Sequence, residues 1–503
     1  MMTRPVLCLA LLCQLLATAA TARSASIPQW PQFRGPGGNA VASGQSLDFD
    51  FGREQNVRWK APLPAGHSSP CLWGDRIFLT GVDGTRVRLI CLRRRDGQRL
   101  WEREREIAKP APYEHVAGSP ANSTPATDGK RVVFFFDDYG VIVLDPEGNL
   151  LWERRLPPTH NSYSYGASPV LDENRIYLNR DGGPEPGLLC LDAGDGQELW
   201  EAARPGTIVS FCTPYVLEQG DGKVVLAGGT GRLTAYDAQS GTAVWDAGGF
   251  PVFICPSPVA TDQAIVFGGW TTAHVSGRTR MESGFDEASE VSAAAMRSPE
   301  AFFDQFDVNK DGVLTVEEMP PGRARDAFNF IDKDRNGRLD MTEWAPGYSE
   351  QPMAPGRNVM LAIRTGGSGD VSESHVAWEI TRGLPYVASP LAYRGSVYLV
   401  ATGGYFTCLD AATGEPHFQK QRLGVGGEYY ASPVAVGEHI LVCAHRGSVF
   451  LVNTGRDFEV ARRVDLGESI FATPAVVENT LYLRSDAHLW AFGQSDTRLA
   501  LHP

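Results

Sequence analysis

Two twelve-residue stretches carry oxygen donors at a spacing that suits a metal ion. In residues 307–318, Asp307, Asn309 and Asp311 hold positions one, three and five, and Gly312 holds six. Val313 offers a carbonyl at seven, Thr315 sits at nine and Glu318 at twelve. Residues 332–343 repeat the pattern with Asp332, Asp334, Asn336, Gly337, Arg338, Asp340 and Glu343. Such a set surrounds Ca²⁺ with the oxygen shell it prefers; the glycine allows the sharp turn and the last glutamate clamps the ion with both oxygens. One match of this kind arises by chance in an acidic loop, but two complete matches in tandem argue against chance.

Helices must present these loops. Ser298-Pro299-Glu300 is a helix start, with Phe302, Phe303 and Phe306 at helical spacing behind it. Ala327, Phe328 and Ile331 play the same part before the second loop, and Pro320-Pro321-Gly322 ends the first unit early. Leu314 and Leu339, at position eight of each loop, are placed to join the two loops through a short strand pairing. The segment resembles an EF-hand pair over about residues 298–345. Residues 281–345 hold 15 Asp and Glu against 7 Lys and Arg. Two calcium ions, the number expected, would offset half of that excess.

The pair interrupts a repeat. Ser or Thr followed by Pro recurs at Ser69, Thr124, Ser168, Thr213, Ser257, Ser389, Ser432 and Thr473, in steps of 55, 44, 45, 44, 132, 43 and 41 residues. The clearest unit, residues 168–200, reads as four short β runs separated by turn residues. Most units end with an aromatic residue four positions after a glycine: Gly97 to Trp101, Gly148 to Trp152, Gly196 to Trp200, Gly241 to Trp245 and Gly414 to Phe418. A period in the forties with four strands per unit predicts an all-β, eight-bladed β-propeller of four-stranded antiparallel blades.

The 132-residue step leaves 88 residues foreign to the fifth unit. Its second strand is expected near residues 264–267, its third at 359–363, and Trp378 in its fourth. The expected divisions are a signal peptide at 1–22, a first propeller part at 23–270, an α-helical insertion at 271–357 and a second propeller part at 358–503. The eighth unit stops one strand short, so a strand near residues 56–62, carrying Trp59, is expected to complete it. Closure of this kind removes exposed sheet edges.

The glycine-to-tryptophan turn, with Leu191-Asp192 and Leu409-Asp410 before it, resembles the repeat of pyrroloquinoline-quinone (PQQ)-type propellers, and the likeness runs through nearly the whole mature chain. By repeat type the chain resembles the propeller lipoprotein of outer-membrane protein assembly, which implies a binding or scaffold role toward other secreted or envelope proteins. The same repeat type occurs in quinoprotein dehydrogenases, which implies as an alternative a PQQ-dependent dehydrogenase of alcohols or sugars. Those enzymes use a carboxylate base, an arginine and a calcium ion beside the quinone, and usually a vicinal disulfide; no two cysteines are adjacent here. No spacing assigns a catalytic residue.

Residues 1–22 read as a cleaved secretory signal: Arg4, an apolar run from Val6 to Leu16, and Ala20-Thr21-Ala22 as the cleavage site. A secreted or periplasmic location follows. Cys13 stands in a poor context for lipid attachment, and no later stretch is long and apolar enough to span a bilayer. Of nine cysteines, Cys8 and Cys13 fall in the signal. Cys91, Cys190 and Cys408 share one repeat position, the third strand, and read as core fillers and not disulfides. The formal net charge of −13 argues against nucleic acid or an anionic membrane as partner.

Just before each Ser/Thr-Pro the chain approaches the ring axis with His67, Asn122, Tyr165, Phe211, Phe253, Tyr386, Tyr430 and Phe471. Of these His67, Tyr165, Tyr386 and Tyr430 are the candidate ligand-binding residues of an axial funnel; the rest are expected to seal it. Aromatic rings with a few polar groups suit a flat ligand or a glycan, so a carbohydrate-binding protein is a second alternative. An insert between the second and third strands of a blade emerges on this same face.

Overall fold

The computed structural model describes residues 27–108, 115–159, 165–182, 185–207, 209–271, 291–292, 294–295, 298–320, 325, 328–332, 334, 336–345 and 356–494. The signal segment, Ala327 and Pro321-Gly322 lie outside them. No helix among the described residues is long and apolar enough to cross a membrane.

Eight sheets, each built on four antiparallel strands, make an eight-bladed propeller. Blade three shows the unit: Val170–Asp172, Arg175–Arg180, Gly187–Asp192 and Glu198–Ala203, from the axis outward. Middle strands are buried on both faces between neighbouring blades, so they are apolar throughout. Val132–Phe136 and Gly140–Leu144 of blade two are buried at every position, whereas outer strands such as Leu150–Arg155 alternate. Blade eight takes Val57–Pro62 as its outer strand, paired antiparallel to His488–Phe492. In blade five the insertion leaves after Ala264–Gly269 and returns at Val359–Arg364.

The Ser/Thr-Pro repeat has a physical cause. The backbone N–H of each Ser or Thr donates to the side-chain hydroxyl of its counterpart in the next blade. The series runs Ser69 to Thr124 (2.9 Å), Thr124 to Ser168 (2.9 Å), Ser168 to Thr213 (3.0 Å) and Thr213 to Ser257 (3.1 Å). It continues Ser257 to Ser389 (3.0 Å), Ser389 to Ser432 (3.0 Å) and Ser432 to Thr473 (3.0 Å), and Thr473 returns to Ser69 at 3.1 Å. The eight bonds form a closed circle around the axis. The proline that follows has no N–H, so the axial edge of the strand exposes no donor there.

A second set of contacts links the blades farther out. Trp59, Trp101, Trp152 and Trp200 donate through Nε1 to Arg94, Pro146, Ala193 and Ala238 carbonyls of the following blade at 2.9–3.3 Å, and Trp378 does the same to Ala411 at 3.0 Å. Each indole lies on the glycine of that blade's turn. A Cβ on Gly97, Gly148, Gly196, Gly241 or Gly414 would come within 2.5–2.7 Å of the ring, and all five have positive φ. The repeat's glycine therefore makes room for the preceding blade's tryptophan. Opposite the closing aromatics stand small residues: Cys91 faces Trp101, Cys190 faces Trp200 and Cys408 faces Phe418. All seven described cysteines are free thiols.

Three joints depart from the rule. Blade six carries Phe418, which has no N–H to donate and packs against Phe458 at 5.5 Å. Blade five's long last connection lends Gly369–Asp370 as a parallel strand to the outer edge of blade four, beside Trp245. The outer strand of blade seven, Val460–Asp465, has no aromatic. The buried Leu47, Phe49 and Phe51 cover that region; Arg462 pairs with Asp50 at 2.7 Å, and Phe51 meets Phe492 at 5.3 Å.

The hydroxyl circle makes a specific demand. Ser432→Ala removes the acceptor of the buried Ser389 N–H, so urea unfolding should show a loss of about 1–3 kcal/mol with the β-sheet circular dichroism retained. A change below about 0.5 kcal/mol, the level of an ordinary surface substitution, would contradict the role given to the circle.

Candidate functional site

Helix α1 (Pro299–Phe306) is capped by Ser298, whose hydroxyl accepts the Ala301 N–H at 3.2 Å. It delivers Asp307 to the head of the first loop. There Asp307 accepts N–H groups from Asp311 (3.3 Å) and Gly312 (2.9 Å), and Asn309 accepts from Asp311 at 2.8 Å. In the second loop Asp332, just after α2 (Phe328–Ile331), accepts from Asn336 (3.1 Å) and Gly337 (2.8 Å). Asp340 caps α3 (Met341–Trp344) by accepting the Glu343 N–H at 2.9 Å. Gly312 and Gly337 have φ of 80° and 79° at the sharp turn. The loops thus share one backbone design, with side-chain oxygens held on the concave side.

The loops are joined. Leu314 and Leu339 exchange N–H to carbonyl bonds of 2.9 and 2.8 Å, and Arg338 reaches Asp311 across the pair at 3.7 Å. Phe302, Phe303, Leu314, Met319, Phe328, Leu339 and Trp344 form a separate small core beneath them. In the second loop carboxylate oxygens of Asp332, Asp334 and Glu343 lie within 4.8 Å of one another. Three acids this close repel unless a cation or protons intervene. In the first loop Glu318 accepts the Thr315 N–H and hydroxyl at 2.9 and 3.0 Å.

On the ring axis a cavity of about 930 Å³, its open mouth included, sits over the hydroxyl circle. His67, Tyr386 and Tyr430 line it. His67 stacks on Phe471 at 3.9 Å, Phe471 lies parallel to Tyr430 at 5.4 Å, and Trp270 meets Tyr386 edge-on at 5.8 Å. Tyr165 does not join them. It turns into the wall, 4% exposed, against Phe135 at 5.2 Å. Asn122, Phe211 and Phe471 reach the cavity too, where a sealing role was expected.

Repeat logic missed His115, which touches Tyr430 and Tyr386 at 5.8 and 6.2 Å. It comes from the connection that lengthens the first repeat step to 55 residues, which is the trace it leaves in the sequence. Trp270, the first residue after blade five's second strand, ties the root of the insertion to the rim: its N–H donates to Pro385 at 2.8 Å. Asn358 and Thr271 clasp the two ends of the insertion with bonds of 3.0 and 3.1 Å.

The described lining residues include no carboxylate and no Lys or Arg. Burial, with Arg484 nearby, pulls the His67 imidazole down to about 4, so it is neutral above that pH. Burial also pushes the Cys255 thiol up to about 12. The mouth is an uncharged, aromatic and hydroxyl-rich surface.

The His67 shift has a sign. With the folded value below the ordinary 6.5, the unfolded chain binds the proton first, so stability is full above pH 6.5 and falls as pH drops toward 4. Relative to His67→Phe, the wild type should lose up to about 1.4 kcal/mol per pH unit across that window in denaturant titrations. Parallel curves for the two proteins would contradict it.

Parts of the chain are similar to known proteins. A family model described as the outer membrane protein assembly factor BamB matches residues 52–178 and 162–249, and an EF-hand model matches 300–319 and 324–345. The outer membrane protein assembly factor BamB of Bordetella pertussis is 20% identical over 198 residues, 39% of this chain and 45% of the relative, so the match spans less than half of that relative's length. The crystal structure of BamB from Moraxella catarrhalis superposes with a TM-score of 0.51 at 14% identity, covering 89% of this chain and 100% of that one. A computationally designed protein, Ika8, gives 0.50 at 10% identity, over 90% and 100% of the two chains. At such identities the structural likeness shows the fold alone. Taken with the repeat circle and the paired loops, these matches show an eight-bladed β-propeller that is similar over residues 52–249 to the outer membrane protein assembly factor model, with an EF-hand-like pair set into its fifth blade.

Proposed function

We propose that this propeller is a secreted or periplasmic binding or scaffold protein of the cell envelope, and that its EF-hand pair takes up two calcium ions. The observation that carries the calcium reading is the convergence of Asp332, Asp334 and Glu343 within 4.8 Å, with the same loop design repeated at Asp307. Asp307, Asn309, Asp311, Thr315 and Glu318, with the Val313 carbonyl, would hold one ion. Asp332, Asp334, Asn336, Asp340 and Glu343, with the Arg338 carbonyl, would hold the other. Relatives named for outer membrane protein assembly support an envelope setting and protein partners. The aromatic mouth at the root of the insertion is the surface offered to them, with His67, Tyr386 and Tyr430 as the candidate contacts.

The dehydrogenase reading fits the residues poorly. PQQ is a polycarboxylate, and the described lining of the mouth supplies neither a cation to hold it nor a carboxylate to act as base. A glycan remains the second reading, favoured by the stacked His67, Phe471 and Tyr430 rings.

Titration calorimetry should show uptake of two Ca²⁺ with affinities around ~10⁻⁴ to 10⁻³ M, typical of extracellular modules. The double variant Asp307→Ala, Asp332→Ala should take up none, and equal heats from the two proteins would end the calcium assignment. Adding PQQ and Ca²⁺ should give no visible absorption band and no dye-linked alcohol or sugar oxidation. Both signals appearing together would overturn the non-enzymatic reading.

A further inference from the structure

Blade six carries an irregularity that the other blades lack. In each of the other seven, the outer strand slips register against its neighbour once, close to the closing turn. In blade six, Pro416–Arg422 slips twice against Tyr405–Asp410, and Lys420 takes up the left-handed region at φ 54°. The Lys420 N–H donates to the hydroxyl of the fully buried Thr407 at 3.1 Å. Gly383, at φ 74°, leaves room for that hydroxyl: a Cβ there would come within 2.8 Å of it. A lysine is strained in this conformation, and a bulge of this kind re-aims the side chains around it.

The bulge brings two cations onto one ring. Lys420 Nζ lies 4.9 Å and the Arg422 guanidinium 4.6 Å from the Tyr405 ring, and Arg422 Nη2 donates to the Tyr405 hydroxyl at 2.6 Å. Arg382 is beside them, its carbonyl accepting from the Gln419 amide at 3.4 Å. The connection that follows runs between two more: Arg463 lies 3.9 Å from where a Cβ on Gly424 would be, and Arg446 lies 3.4 Å from the same point on Gly427. All five side chains belong to exposed residues, and none forms an ion pair with a described residue. Cations nearby do pair: Arg394 with Glu438 at 2.6 Å, Arg357 with Glu379 at 2.5 Å and Arg462 with Asp50 at 2.7 Å. The carboxylate of Glu428 is engaged by the Thr402 hydroxyl at 2.8 Å, and its field acts on His115, Tyr430 and His445 of the mouth.

Five cations without acidic partners are a local exception on a chain of net charge −13. At physiological salt a charge is felt over about 8 Å, so a partner at this surface meets the cations and little of the remaining negative charge. We propose that blades six and seven present a docking surface for an acidic, Asp- and Glu-rich segment of a protein partner. Guanidinium groups pair with carboxylates through parallel charge-assisted hydrogen bonds, which suits such a segment. The proposal rests on the reading of the propeller as a binding protein with protein partners, and it names the chemistry of one. The connection that passes between Arg463 and Arg446 goes on to deliver Tyr430 to the axial mouth, so the two surfaces are continuous. The basic rim holds the acidic segment while the uncharged mouth takes its neighbours.

Fluorescence anisotropy with a rhodamine-labelled hexa-aspartate peptide and the full chain tests this. Binding should weaken about tenfold or more between about 50 and 300 mM sodium chloride, and about tenfold in the double variant Arg422→Glu, Arg463→Glu. The mouth variant Tyr386→Ala, Tyr430→Ala should bind the peptide as the wild type does, so a failure of the mouth reading is told apart from a failure of this one. Lys420→Gly should bind about threefold more weakly without a lower melting temperature, because glycine adopts the left-handed region freely. No peptide binding by the wild type, or equal binding by the wild type and both patch variants, would refute the surface. Heparin bound at these residues in place of the peptide would also refute it, assigning the patch to a sulfated polysaccharide. If the double variant fails to fold, Lys420→Gly decides.

Discussion

Eight hydrogen bonds around the axis set the geometry of this molecule. Each ties the backbone of one blade to the side chain of the next, and because the last returns to the first, no blade can tilt without straining its neighbours. The circle sits at the start of each inner strand, the narrowest part of the wheel, where the blades converge. It explains why the opening residue is Ser or Thr: it must give an N–H and take one through a short hydroxyl. It explains the proline as well, since the next residue faces the channel and is better without a donor. Arg484 reinforces the seam between blades eight and one, donating to Ser68 and Thr80 carbonyls at 3.2 and 2.9 Å.

Much of this was legible because repetition turns weak local signals into a strong one. Ser/Thr-Pro and glycine-to-tryptophan spacings give blade number, strand order and the completion of blade eight by the strand of Trp59. Two physical features escaped. The spacing shows that Gly97 and Trp101 belong to one turn, but not that Gly97 receives Trp59 from the preceding blade. Nor does any period announce that Leu47, Phe49 and Phe51 cover the blade that lacks its own aromatic, because a segment used once leaves no repeat.

The candidate sites divide the same way. The EF-hand loops are local: every donor lies within twelve residues, so spacing alone places the side chains, and the Leu314 to Leu339 pairing follows from two matched loops. The axial mouth is assembled from eight separate connections, and there a residue's position in the repeat says which end of the blade it occupies but not which way it turns. Tyr165 shows this by packing against Phe135 where Tyr386 and Tyr430 face the cavity. His115 shows the converse, entering the mouth from a connection with no counterpart in other blades. Arg34 carries no sign of its burial in the sequence, because that burial depends on a fold that forms around it.

These parts form one closed wheel, with the paired loops and their own small core inserted in its fifth blade. Hydrogen exchange followed residue by residue, with and without Ca²⁺, tests that account most directly. It predicts that the amides of the eight Ser/Thr residues, Ser69 and Thr473 at the seam included, exchange slowly, together and independently of calcium, while those of residues 307–343 gain protection when calcium is added. Fast exchange confined to the seam, or a calcium response spread through the circle, would contradict it.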